Sequence, residues 1–123
     1  MISIDSYGWI ERFASGPKQA QYNRVIDSVA PGQILTSAVT VYEVYKKAKA
    51  MRGEHAALED VAALGHTLVV PVDQEIALSA ADYSLEHGLH FSDALIYATA
   101  RRHHAELYTS DAGLRHLPGV RFV

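Results

Sequence analysis

Four acidic residues of the 123-residue sequence occupy positions from which their carboxylates could act together: Asp5, Glu43, Asp93 and Asp111. Asp5 follows the short apolar alternation ISI, and Asp111 comes just after ELYT. Asp93 opens DALIYATA, a run with no other charge. Carboxylates brought together repel one another unless protons or cations intervene, and hard divalent ions such as Mg²⁺ prefer oxygen ligands. These residue types therefore suit a metal site, provided that the fold brings them together.

The order of secondary-structure elements decides whether these acids can meet. The predicted strands are ISI, QILTS, TLVVPV, ELYT and VRFV. The predicted helices cover 7–14, 18–30, 38–51, 55–65, the segment from Asp73 to Gly88, 91–104 and a short turn at 111–117. Alternation of strands and helices predicts a mostly parallel sheet with helices on both faces. The expected fold is a single-domain, three-layer α/β/α arrangement over residues 1–123, in which the apolar TLVVPV strand is covered on both faces.

In parallel sheets, ligands bind beyond the carboxyl ends of the strands. Asp5 and Asp111 each follow a predicted strand, while Glu43 and Asp93 lie near the beginning of predicted helices. All four side chains are therefore expected at one edge of the sheet. Their convergence, rather than any one of them, indicates a site.

Each acid also has a purely structural explanation. Asp5 and Asp111 are placed to cap helices, and Asp93 can complement a helix dipole. Glu43 can complete a capping box begun by Thr40, or pair with a lysine one helical turn later. If there is no site, all four of these structural explanations must be true at the same time.

The ordered segments IDS, TSAVTVYEVYK, FSDALIYATA and LYTSDAGLRHLPGV resemble the PIN-domain family. More narrowly, they resemble the VapC-type toxins of bacterial and archaeal toxin–antitoxin pairs, and the resemblance spans essentially the whole chain. It implies a PIN-like sheet and a metal-dependent ribonuclease with Asp5, Glu43, Asp93 and Asp111 as its acidic pocket. The implied cofactor is Mg²⁺, with Mn²⁺ possible. The implied partners are an RNA substrate, a small cognate antitoxin protein that lies over the groove, and a second copy in a homodimer.

Asp5 and Asp93 are expected to contact the ion most directly, with Glu43 and Asp111 orienting water. An ion held this way activates water to attack a phosphodiester. Ser6 and Thr109 match small hydroxyl residues commonly found beside the acids of this family. One departure is that Ala112-Gly113-Leu114 follows Asp111 where many relatives carry a further acid or asparagine. The sequence leaves open whether one or two ions bind.

Composition restricts the class of protein. A net charge of −3 and a pI near 6.1 mean that binding to RNA phosphates requires a local basic patch or metal ions. Lys46, Lys47 and Lys49 in KKAKAMR are the candidates for such a patch, although a solvated helix face is the favoured explanation of this run. There is no cysteine, and the seven histidines lack convincing zinc-ligand spacing. No apolar segment suits a signal peptide or a membrane span, so we expect a soluble, cytoplasmic protein.

Two other classes of function remain. The first is a catalytically silent PIN-like binding module that acts through protein or RNA contacts. The second is a phosphorylatable receiver domain, which also places acids at strand ends. A receiver requires paired acids near the first strand and an aspartate after a central strand. Here the first strand offers a single aspartate, and TLVVPV has no acid at its immediate end, which disfavours the receiver.

Overall fold

The computed structural model describes residues 1–123, which form a five-stranded, fully parallel sheet flanked by helices. The strands are β1 (Ile2–Ile4), β2 (Ile34–Ser37), β3 (Leu68–Val70), β4 (Glu106–Thr109) and β5 (Val120–Phe122). The helices are α1 (Ser6–Phe13), α2 (Gln19–Ile26), α3 (Ala38–Arg52), α4 (Glu54–Leu64), α5 (Gln74–His87) and α6 (Phe91–Arg102). Two 3₁₀ turns cover Pro31–Gln33 and Ala112–Leu114.

Each face of the sheet carries its own hydrophobic core. Leu35 and Leu107 point to one face, where they pack with Ile76 of α5 and Ile96 of α6. Side chains of α1 to α4 pack with Ile4 and Ile34 on the opposite face. The predicted three-layer α/β/α fold is therefore confirmed. No helix combines the length and apolar character needed to cross a membrane.

The strands follow the spatial order β3-β2-β1-β4-β5. This places β1 at the centre, between β2 and β4, so that the carboxyl ends of these three strands lie side by side. The order differs from the 2-1-3-4-5 arrangement of receiver-type sheets. The topology therefore argues against the receiver alternative on grounds independent of the acids.

Capping residues fix where the helices begin. The hydroxyl of Ser37 accepts a hydrogen bond from the Val39 amide at 3.1 Å, which starts α3 directly from the end of β2. The Asp73 carboxylate accepts from the Ile76 amide at 2.9 Å and starts α5 as predicted. The helix α5 ends at Gly88, whose φ of 68° lies in the left-handed region that glycine adopts without strain.

Helix α1 packs very closely against the second helix. A Cβ atom on Gly8 would overlap the ring of Tyr22 and the side chain of Ile4, so only glycine allows this approach. The hydroxyl of Tyr22 in turn lies 2.7 Å from Ser110 Oγ, just beyond β4. These contacts fix α1, and with it the segment that leaves β1, against the carboxyl end of the sheet.

The strand β3 was predicted correctly, but the prediction that both of its faces are covered was wrong. Leu68 is 46% exposed and Val69 is 41% exposed, because β3 pairs only with β2 and forms an edge of the sheet. A continuous apolar run does not distinguish a buried strand from an edge strand. Two helices are also shorter than predicted, since α2 ends at Ile26 and α6 at Arg102.

Candidate active site

Asp5 lies where β1 turns into α1, and its backbone and side chain are both held in place. Its amide donates to the Tyr108 carbonyl at 3.0 Å, extending the pairing of β1 with β4. Its Oδ1 accepts from the Ser6 amide at 2.8 Å, so Asp5 is the N-cap of α1. Only 5% of the residue is exposed. The capping explanation therefore holds, but a cap needs only one of the two carboxylate oxygens.

Thr109, at the end of β4, connects the second oxygen of Asp5 to the backbone of Asp111. Its hydroxyl donates to Asp5 Oδ2 at 2.7 Å and accepts from the Asp111 amide at 3.0 Å. Asp111 Oδ1 accepts from the Gly113 amide at 2.9 Å and caps the 3₁₀ turn Ala112–Leu114. The neighbouring strands β1 and β4 thus set the relative positions of two acids through one buried hydroxyl.

Glu43 reaches the same region from the second turn of α3. The Ser6 hydroxyl donates to Glu43 Oε1 at 2.9 Å and lies 3.4 Å from Asp5 Oδ1, so Ser6 stands between the two acids. The capping-box explanation of Glu43 is wrong, because Ser37 caps α3 and Thr40 lies buried within the helix. The Thr40 hydroxyl has no hydrogen-bond partner at all.

Asp93 completes the group from the first turn of α6. Burial raises the pKa of Asp93 to about 7, with further contributions from a hydrogen bond to Asp111 and from the charges of Asp111, Asp5 and Glu43. When no cation is present, Asp93 therefore keeps its proton to a higher pH than an ordinary aspartate does.

Asp5 also titrates abnormally. Burial raises its pKa above the usual range of an aspartate, and the charges of Glu43 and Asp111 act in the same direction. The hydrogen bonds from Thr109 and from the Ser6 amide oppose this rise, because they stabilise the carboxylate form. The protein thus holds the carboxylate in place while its burial and neighbours disfavour the charge.

These acids face a polar cleft with a volume of about 390 Å³ at the carboxyl edge of the sheet. Its lining consists of Asp5, Ser6, Tyr7, Lys18, Asp93, Ser110 and Asp111. Glu43 is connected to this lining through Ser6. The structure therefore brings the sequence-predicted acids to one place, and the predicted hydroxyls of Ser6 and Thr109 hydrogen-bond to them as expected.

The chemistry of this cleft fits a hard divalent cation. Its lining offers carboxylate and hydroxyl oxygens with no cysteine or histidine, and the raised pKa values of Asp5 and Asp93 mark negative charge that a cation would stabilise. No three carboxylate or imidazole groups lie close enough together to hold one ion by themselves. A hard ion such as Mg²⁺ needs only one or two direct carboxylates, because it keeps several of its waters.

The lysines of KKAKAMR do not line the cleft, which agrees with a solvated helix face rather than with a phosphate-binding patch. The ammonium groups of Lys46 and Lys49 lie 3.5 Å from the hydroxyls of Tyr42 and Tyr45, and Lys49 also pairs with Glu54 at 3.5 Å. The cation in the cleft is Lys18, which sequence reasoning missed. Its sequence neighbourhood is an ordinary helix start after Gly-Pro, so no local signal distinguished it.

Replacing Thr109 with valine is expected to raise the pKa of Asp5 further, because the hydroxyl that stabilises its carboxylate is lost. A buried acceptor left without its donor also costs about 1–3 kcal/mol of stability. Carboxyl-carbon NMR titration of Asp5 and thermal unfolding measure the two effects. Thr109→Ser keeps the hydroxyl and serves as the control. An unchanged Asp5 titration in Thr109→Val would contradict the role assigned to this hydrogen bond.

The sequence and the fold were compared with those of known proteins. The sequence matches the PIN domain over residues 2–120. No curated protein matches it significantly.

Solved structures resemble the fold over nearly its whole length. A toxin–antitoxin complex from Klebsiella pneumoniae contains a chain 28% identical, with a TM-score of 0.84 and coverage of 98% of this chain and 96% of that one. Mycobacterium tuberculosis VapC20, a toxin that cleaves the sarcin–ricin loop, is 18% identical, with a TM-score of 0.79 and coverage of 98% and 99%. FitAcB from Neisseria gonorrhoeae is 23% identical, with a TM-score of 0.75 and coverage of 99% and 96%.

Proposed function

The chain belongs to the PIN-domain family, and from that premise we propose that it is the toxin of a toxin–antitoxin pair, a ribonuclease dependent on Mg²⁺ or Mn²⁺. Residues 1–123 act as a single PIN-like domain in this proposal. This proposal rests on one observation: acidic side chains from the end of β1, from α3, from α6 and from the end of β4 line or adjoin one cleft. Similarity to a chain of a toxin–antitoxin complex supports the biological role.

In the proposed reaction, Asp5 and Asp93 would hold the ion most directly, and Glu43 and Asp111 would orient water. When bound, a divalent ion would make water more acidic for attack on the phosphodiester and would offset negative charge on the phosphate oxygens. Thr109 holds one oxygen of Asp5, so that this carboxylate need not reorganise when the ion arrives. Because the pKa of Asp93 is about 7, this carboxyl must release its proton to bind a cation, and we expect binding to be coupled to proton release.

The proposed substrate is RNA, and the proposed regulator is a small cognate antitoxin. The same negative charge that favours a metal ion also favours a basic side chain entering the cleft. An antitoxin that places an arginine or lysine there would compete with the ion and block the substrate. This is the mode of inhibition that the resemblance to VapC-type toxins implies.

We assign the expected homodimer contact to the apolar face around Phe91, which is itself 82% exposed. Two hollows of about 350 and 480 Å³ meet at Phe91, Val72 and Leu95, and no charged residue lines either of them. A contact between identical surfaces across a two-fold axis brings like groups close together, which an uncharged face tolerates. The hollow between α1 and α3 is different, because Lys47, Arg52 and Asp60 line it.

Replacing Phe91 with aspartate is expected to convert the dimer to a monomer, since the charge would be buried against its own copy. Light scattering coupled to size-exclusion chromatography measures the mass. Leu85→Asp is the matched control, because Leu85 is 87% exposed but lines neither hollow. A monomeric wild-type protein, or equal masses for wild type and Phe91→Asp, would contradict this assignment.

The direct test of the proposed function is incubation of the purified protein with total RNA in Mg²⁺ or Mn²⁺, with an EDTA control. We expect defined cleavage products that disappear on chelation and return when the ion is restored in excess. Cleavage that survives EDTA would reject the metal-dependent reaction. Absence of cleavage with all ions, beside tight binding of an antitoxin, would instead favour a catalytically silent binding module.

A further inference from the structure

Two cations outside the acidic group share a single aromatic ring next to the cleft. The Lys18 ammonium lies 5.7 Å from the centroid of the Phe122 ring, and the Arg115 guanidinium carbon lies 4.6 Å from the same centroid. Phe122 is 41% exposed, so the ring and its two cations are at the surface. We call Lys18, Arg115 and Phe122 the basic rim.

The fold holds both ends of Lys18. Its backbone amide donates to Oε2 of the buried Glu11 at 2.9 Å, and its ammonium donates to the Val123 backbone oxygen at 2.8 Å. Gly16 makes room for this arrangement, because a Cβ at that position would overlap the Glu11 carboxylate. A lysine fixed in this way loses less side-chain entropy on binding a ligand than a freely rotating one.

Arg115 is positioned by the site itself. It follows directly after the 3₁₀ turn Ala112–Leu114, which Asp111 caps, and the ring of Phe122 on β5 receives its guanidinium. Asp111 and Arg115 therefore belong to one short segment that presents an acid to the cleft and a base to the rim. The carboxyl ends of β4 and β5 set the distance between them.

Neither cation of the rim forms a salt bridge with an aspartate or a glutamate, a property that they share with Arg24, Lys46, Lys47 and Arg101. What distinguishes the rim is its place, because Lys18 lines the acidic cleft and Arg115 lies against the same ring. In a protein with a net charge of −3, two unpaired cations beside the cleft provide the local positive potential that a polyanion requires.

We infer that Lys18 and Arg115 bind backbone phosphates of the RNA strand next to the bond to be cleaved, with Phe122 holding both cations toward the strand. The inference rests on the proposed function. A strand whose scissile phosphate lies among the acids must pass Lys18, because Lys18 lines the same cleft. The rim thus compensates for the repulsion between the acids and the substrate and fixes the register of the strand, without reading its sequence.

RNA binding is tested on a background that does not cleave, Asp93→Asn, by fluorescence anisotropy with a labelled single-stranded RNA at several salt concentrations. Lys18→Met and Arg115→Met are each expected to weaken binding about fivefold to tenfold, as for a partly exposed charged contact. Each should also reduce the slope of log affinity against log salt by about 0.7, the value for one phosphate contact on a single strand. Arg24→Met, on the exposed side of α2, is the matched control.

Kinetics on the active protein separate a binding role from a merely structural one. Lys18→Met is expected to raise KM with a smaller change in kcat, while Lys18→Arg keeps most of the affinity. Unchanged RNA affinity and salt slope in both methionine variants would overturn the inference even if wild type cleaves RNA. Failure of wild type to bind or cleave RNA would overturn the proposed function as well. Loss of affinity for a poly-glutamate peptide but not for RNA would assign the rim to a protein partner instead.

Discussion

Replacing Asp93 with asparagine is expected to reduce metal-dependent RNA cleavage by at least about 10²-fold, the usual scale for removing a preorganised charge from an active site. Asparagine keeps the size and one oxygen of the side chain but supplies no negative charge to an ion. The same change removes the repulsion of Asp93 by Asp111, Asp5 and Glu43. The variant should therefore be more stable than wild type in EDTA at neutral pH, although it is inactive.

Lower activity together with higher stability distinguishes the loss of a metal-binding charge from general damage to the fold, which would lower both. Initial rates of cleavage of a labelled RNA measure the loss of activity, and thermal unfolding in EDTA measures the gain in stability. Asp82→Asn, on the exposed face of α5, is the matched control and should change neither quantity. Full activity in Asp93→Asn would contradict the assignment of Asp93 to the active site. Reduced stability in EDTA would show that its carboxylate stabilises the fold.

Without metal, the stability of the protein is expected to fall as the pH rises from about 4 to about 7. The pKa of Asp93 is about 7 in the folded protein against 3.8 for an unperturbed aspartate, so the folded state retains a proton that the unfolded chain has already lost. Stability decreases with pH wherever the folded state binds more protons than the unfolded state. Because Asp93 is only partly buried, we reduce the full effect to about 1–2 kcal/mol, or several degrees in melting temperature.

Melting temperatures in EDTA between about pH 5 and about pH 8 test this dependence, with Asp93→Asn as the reference for all other titrating groups. The difference between the two proteins should grow with pH. Saturating Mg²⁺ should reverse it, since an ion at about 100 times its Kd stabilises the folded state by about 2.7 kcal/mol. Protons compete with the ion for the Asp93 carboxylate, so this gain should be larger at high pH. Parallel curves for wild type and Asp93→Asn would contradict the raised pKa of Asp93.

The sequence was sufficient to predict the position of the acids because strand ends in a parallel sheet share an edge. Asp5 and Asp111 follow strands that proved to be neighbours, and Asp93 begins a helix that packs across the same end. The capping explanations of Asp5 and Asp111 were also correct, which shows that a capping role and a place in the cleft are compatible. The local sequence pattern could not distinguish an aspartate that only caps a helix from one that also faces the cleft, because a carboxylate can cap with one oxygen and leave the other free.

Other features depend on contacts between residues far apart in the sequence, and local patterns do not reveal these. Lys18 meets Val123 and the ring of Phe122, residues at the far end of the sequence, only in the folded chain, so its place at the cleft was missed. The lysines after Tyr45 were the candidates for a basic patch because they form the densest basic segment, but the ammonium groups of Lys46 and Lys49 lie by tyrosines of their own helix. The exposure of β3 was missed for the same reason, since strand order is a long-range property.

The edge position of β3 has a consequence for behaviour at high concentration. An open strand offers unpaired amides and carbonyls to any extended segment, which is how sheets add foreign strands and begin to aggregate. Here only Leu68–Val70 is available, and the chain continues directly into Pro71, which has no amide hydrogen to donate. The exposed edge of β3 is too short and has too few free amide donors to serve as a template for fibril growth, although its leucine and valine side chains are exposed.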